Sequence, residues 1–289
     1  MKLLKITLSA LFLFSFSIAN AQDDLMKELD SGNKEKTAAS AAFKGLQICN
    51  IQSTKLPSKN EWYFLVSHRF GDLTEGINNF FGLDNAYTKL AGIYGVTDYW
   101  SIGASRHTYN KTYELASKLR LANQQIDGFP VTIALYNTMD INTALKKVEN
   151  PDLMFNNRLA FTSQLLISRK ISESISLEAN PIYVHKNLYE PTEEKKDQFL
   201  FALGGRAKIS KRISLNMDYA ANMSKVSNSP NHNPLSFGMD IDTGGHIFQL
   251  VVSNSQAMND VAYFTNGLGT WGNGGVKGIF FGFNMYRVF

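Results

Sequence analysis

The sequence predicts an all-β protein, a transmembrane antiparallel up-and-down β-barrel of about 12 strands with short periplasmic turns and longer outer loops. Three observations carry this expectation. Apolar and polar side chains alternate with period two along most of the chain, the connections alternate between long and short, and an export signal comes first. The segment from Gly278 to Phe289 shows the alternation at its clearest, with Ile279, Phe281, Phe283, Met285 and Phe289 on one parity. A closing strand of this kind must pair with the first strand, because an open edge in lipid leaves backbone groups unsatisfied.

Residues 1–21 read as a cleavable signal peptide: Lys2 and Lys5, an apolar run from Ile6 to Ile18, then Ala19-Asn20-Ala21. That run is too short to span a bilayer as a helix, which takes about 20 residues. Residues 22–43 read as a polar periplasmic tail, and 44–60 as a segment preceding the first strand, with a strand-like piece from Gly45 to Ile51. The barrel domain is assigned to 44–289.

The first strand sets Trp62, Phe64, Val66 and Phe70 against Glu61, Tyr63, Ser67 and Arg69. Further strands are expected at 85–95, 98–107, 111–120, 130–139, 156–168, 173–186, 197–209, 212–223, 235–243, 245–254 and 277–289. Outer loops then fall at 71–84, 108–110, 140–155, 187–196, 224–234 and 255–276. Tight turns centre on Thr97-Asp98, Lys170 to Glu173, Ser210-Lys211 and Gly244-Gly245, with a longer one from Asn123 to Gly128. A soluble β-sandwich has no reason to produce this asymmetry. Arg169 to Leu177 also repeats as Ala207 to Leu215, two strands apart, with each copy on a short turn.

Parity assigns the faces. Leu203 and Ala207 point to lipid while Ala202, Gly204, Arg206 and Lys208 point inward. Read this way, Arg69, Lys89, Lys118, Arg120, Arg158, Arg206 and Lys208 face the lumen with Glu61, Glu114, Glu178, Asp218, Asp240 and Asp242. Charges of both signs along a lumen predict salt-bridged ladders or a lined aqueous path. Arg69, Arg158 and Arg206 are expected to favour carboxylate or phosphate groups of passing solutes. His68 falls on the lipid parity and, with Arg69, is the polar pair to watch.

The passages Glu61 to Asp72, Asn79 to Asp84 and Gly92 to Asp98 resemble a bacterial family of outer-membrane β-barrel proteins known chiefly as a domain of unknown function. The distinguishing piece is His68-Arg69-Phe70-Gly71, and the likeness covers about Phe43 to Phe289. It implies an outer-membrane barrel and supplies no activity.

Other chemistries find little support. The single cysteine, Cys49, cannot form an internal disulfide and reads as a small apolar filler. The net charge is +4, or +2 without Lys2 and Lys5, which makes no case for nucleic acid. Gly267 to Gly272 fits a dinucleotide pattern but lacks the strand and helix around it. Asp240, Asp242 and His246 could ligate a metal only with a further ligand, so no metal or cofactor is expected. A barrel phospholipase calls for a histidine and serine side by side. None of His68, His107, His185, His232 or His246 has a serine two residues on, so no catalytic residue is assigned.

The chain is expected in the outer membrane, in contact with its lipid and placed by barrel-insertion machinery. The preferred function is a small channel or transporter for small polar solutes. The alternative is a non-catalytic structural or interaction barrel that binds partners through outer loops or the periplasmic tail, and a lipid-active enzyme comes third. An open polar lumen favours the first and a packed lumen the second. Leu203→Arg should be costly if the position lies near the bilayer midplane, and Ala202→Arg milder.

Overall fold

The computed structural model describes residues 38–272 and 275–289. The expected signal peptide and most of the expected tail lie outside the described residues. Among the described residues are fourteen strands: β1 (Trp62–Asp72), β2 (Tyr87–Gly95), β3 (Trp100–His107), β4 (Thr112–Ala122), β5 (Thr132–Asn142), β6 (Leu159–Lys170), β7 (Ile175–Lys186), β8 (Asp197–Lys208), β9 (Ile213–Asn222), β10 (Leu235–Asp242), β11 (His246–Ser253), β12 (Thr270–Gly272), β13 (Gly275–Lys277) and β14 (Phe280–Val288). All but β12 and β13 form one closed barrel, each strand antiparallel to its neighbours in chain order. The barrel closes where β14 pairs with β1, Val66 opposite Met285 and His68 opposite Phe283. No barrel strand is left with an open edge, as a span through lipid requires.

Alternation decides which way each side chain faces. Along β8, Phe199, Phe201 and Leu203 are exposed while Leu200 and Ala202 are buried, and β9 repeats the pattern with Leu215 and Met217 outside and Asn216 and Asp218 inside. Trp62 and Trp100 mark the short-turn rim, Trp62 packing on Tyr94 with ring centroids 4.6 Å apart, where an aromatic girdle is expected. The repeated passages build the same turn. Ile171 donates its N–H to the Ile175 carbonyl at 2.9 Å, and Ile209 donates to Ile213 at 3.0 Å. In each turn a serine hydroxyl, Ser172 or Ser210, accepts from the following backbone.

Two segments depart from the expected layout, and both enter the lumen. Residues 38–60 come in from the short-turn end, fold back on themselves and leave by the same end. The end of the expected tail, Ala42 and Phe43, is buried there together with the expected pre-strand segment. Gly45 to Ile51 is a tight reversal in place of a strand, closed by Ile48 N–H to the Ile51 carbonyl at 2.9 Å. From the opposite end, the connection from β11 folds inward through a short helix α1 (Asp260–Thr265), every residue of which is buried, before the β12–β13 hairpin.

Candidate functional site

The site is the filled lumen. The N-terminal insert enters beside the β4–β5 turn, where Ala39 N–H donates to the Gln124 carbonyl at 2.9 Å. It leaves beside β2–β3, where Asn60 N–H reaches the Gly95 carbonyl at 2.8 Å and Lys59 N–H reaches Asp98 at 3.0 Å. Ile48, Cys49 and Ile51, at its apex, have no solvent exposure.

A turn of backbone in this position carries donors and acceptors that water cannot reach, and the barrel wall satisfies them. Asp218 Oδ2 accepts the N–H groups of Cys49, Asn50 and Ile51 at 2.9, 2.8 and 3.1 Å. Glu178 accepts Thr54 N–H at 3.0 Å. Cations and amides take the carbonyls. Lys118 Nζ donates to Ser53 at 2.8 Å and to Leu46 and Lys55 at 3.3 Å, Arg206 to Ala42 at 2.9 Å, and Asn284 to Cys49 at 3.0 Å. Arg69 reaches the Asn50 side chain at 2.8 Å and Asn284 at 3.1 Å. Lys44 of the insert pairs with Asp242.

The infolded loop meets the insert at Asp218, whose second oxygen accepts the Tyr263 hydroxyl at 2.9 Å. Around this junction lies an apolar cluster: Phe43, Ile48 and Ile51 from the insert, Val261, Tyr263 and Phe264 from the loop, and Ile182, Val184, Leu200 and Ala202 from the wall. The wall is shaped for these occupants. A Cβ on Gly204 would stand 2.3 Å from Ile48 Cδ1, and one on Gly238 would stand 2.8 Å from Cys49 Sγ. The space left among the described residues includes cavities of about 480 Å³ at the short-turn mouth, about 50 Å³ beside Lys89, Glu114 and Lys118, and about 100 Å³ at the long-loop end.

The ten lumen candidates differ in burial. Arg69, Lys89, Glu114, Lys118, Glu178 and Asp218 are buried, and Arg206 is half-buried at the short-turn mouth, where Lys208 lines the cavity. Arg120 extends toward the Thr54 carbonyl at 3.5 Å, and Arg158 lines the long-loop cavity from a short 3-10 turn before β6. His68 faces outward, stacked on Phe283 with centroids 5.6 Å apart and hydrogen-bonded to Thr88 at 3.0 Å. The expected salt-bridge ladder is not what joins these groups. Among the described residues Lys89–Glu114 at 3.0 Å is the lysine–carboxylate pair buried at the wall, while Lys118, Glu178, Asp218 and Arg206 are engaged by the insert's main chain.

Sequence reasoning missed several residues. Ile182 and Val184 are inward and apolar, so the lumen face is not polar throughout. Ser105 and His107, a Ser-x-His spacing in place of His-x-Ser, share the inner face with Ser105 Oγ 2.8 Å from His107 Nε2. Glu114 lies on that same side of the ring, 3.8 Å from Nε2, while Nδ1 has no partner, so no acid orients the imidazole as a catalytic triad needs. Asp240 accepts from Gln249 at 2.6 Å and Asp242 holds Lys44 and the Gly244 N–H, so the pair expected beside His246 is otherwise engaged.

Fold and site together define a membrane-bound β-barrel closed internally by its own chain. The chain belongs to the family described as membrane bound beta barrel domain (DUF5777), which matches residues 43–289 and so takes in most of the insert. A barrel of this kind lies in an outer membrane, in contact with its lipid. No curated protein matches the chain. Similar solved structures include a KdgM porin, at 6% identity and TM-score 0.49 over 78% of this chain and 99% of the porin. A NanC porin shows 8% identity and TM-score 0.48 over 78% and 98%, and outer membrane protein Omp33 of Acinetobacter baumannii 10% and 0.42 over 80% and 99%.

Proposed function

We propose that this protein is a channel or transporter for small polar solutes whose path is held shut by the N-terminal insert and the infolded loop. One observation carries the reading: the charged and amide side chains of the wall are hydrogen-bonded to the main chain of an insert that enters and leaves by one end. Such an insert can withdraw without breaking any strand pairing, and water can replace each polar contact it gives up. Wall side chains paired directly across the lumen would leave nothing to release. The reading is non-enzymatic. It includes export through the signal at 1–21, placement by barrel-insertion machinery, and a tail that extends the insert into the periplasm.

The packed centre of the lumen favours the second reading, a non-conducting structural or interaction barrel. Planar-lipid recordings decide between them. The folded full chain should conduct rarely, and a folded variant lacking residues 39–57 should show sustained steps. Silence from that folded variant would leave the interaction barrel.

A further inference from the structure

The long-loop cavity holds two ionisable groups without a matching partner. Its polar lining includes Asp140, Asn142, Asn157, Arg158, Lys186 and Asn259, around a space of about 100 Å³. Asp140, on β5, is 3% exposed; its Oδ2 accepts from Asn259 Nδ2 at 2.6 Å, while its Oδ1 has no partner. Asn259, on the infolded loop, is equally buried, and its Oδ1 also has none. Two buried oxygens without a hydrogen-bond partner are costly to maintain in a folded protein.

No cation nearby is free to meet them. Lys89 is paired with Glu114, and Lys186 with Glu194 at 2.5 Å. Glu114 and Asp260 both act electrostatically on Asp140, so three carboxyls crowd this region, and its ammonium, Lys89, is held by Glu114. Arg158 shows the opposite deficit. Its guanidinium donates to the Asn142 carbonyl at 3.0 Å and has no carboxylate within ion-pair reach among the described residues. Asp140 pairs across the sheet with Ala160, two residues from Arg158, so the two unmatched groups lie at neighbouring levels of the wall.

We propose that this cavity is a subsite for a small zwitterion of the α-amino acid type, its ammonium on Asp140 and Asn259 and its carboxylate on Arg158. An ammonium brings both positive charge and several N–H donors, where a hydroxyl brings one donor and no charge. A guanidinium offers a carboxylate a planar fork. The volume suits a ligand of a few heavy atoms. The inference names the solute class for the channel reading, on which it rests for its purpose, and it is tested by equilibrium binding, which needs no conduction.

The test is saturation-transfer NMR on the folded full chain in detergent, with glycine, methylammonium and acetate as probes. Glycine should bind more tightly than either fragment. Asp140→Asn should weaken glycine and methylammonium by about tenfold or more and spare acetate, since removing a charge partner is worth at least one decade in affinity. Arg158→Gln should weaken glycine and acetate and spare methylammonium. Arg158 is at the rim, so its variant decides the matter should Asp140→Asn fail to fold. Glycine binding that is absent, or unchanged in the folded variants, overturns the inference. The predicted pattern in a protein that never conducts would uphold the subsite and reject the channel.

Discussion

At the residue scale, Asp218 shows both how far the sequence can be read and where reading stops. Alternation along β9 places it inside the barrel. Its partners are three N–H groups more than 160 residues earlier and a tyrosine hydroxyl 45 residues later, and no local pattern announces them. The paired substitutions on β8 separate a filled lumen from an open one. Leu203 is exposed to lipid, and Leu203→Arg should cost about 2 to 4 kcal/mol if it lies near the midplane, because the charge enters hydrocarbon. Ala202→Arg, which alternation alone makes the milder change, should instead be comparably damaging, since Ala202 has no exposure and sits in the apolar cluster. Urea unfolding in lipid vesicles measures both. A tolerated Ala202→Arg would show that the centre is not packed.

At the scale of elements, all twelve barrel strands were legible because a half-buried strand writes its two faces into its sequence with period two. The inserts have no such period. Residues 44–60 read only as a segment preceding the first strand, because a chain that buries itself in a lumen is surrounded on all sides. The run Ala257, Met258, Val261, Ala262, Tyr263 and Phe264 did carry a signal, since an outer loop with this much apolar surface needs cover. Burial pushes the Asp260 carboxyl in α1 up to about 7, with the charge of Glu114 adding to the rise, from an ordinary value of 3.8. The inserted loop therefore binds a proton that the withdrawn loop releases. Its insertion is firmest below pH 3.8 and weakens as pH rises through 7. Limited proteolysis with a protease active over that range should cut the loop faster at pH 8 than at pH 4. A rate independent of pH after correction for the protease would contradict this.

For the whole molecule, the claim is that a barrel legible from alternation is closed from both ends by segments of the same chain, and that the wall is fitted to them. Cys49, the single cysteine, sits at the apex of the insert with no exposure, and burial together with Asp218 pushes its thiol up, so it should be inert while the insert is seated. Gly204 leaves the space that Ile48 fills, so Gly204→Leu should unseat the insert without touching the strand hydrogen bonds. The decisive measurement is the rate of Cys49 modification by a water-soluble maleimide in the folded, membrane-inserted protein. The expected result is protection in the unaltered chain until denaturation, and modification in folded Gly204→Leu. Modification of the unaltered folded chain as fast as the denatured one would show that the insert does not occupy the lumen.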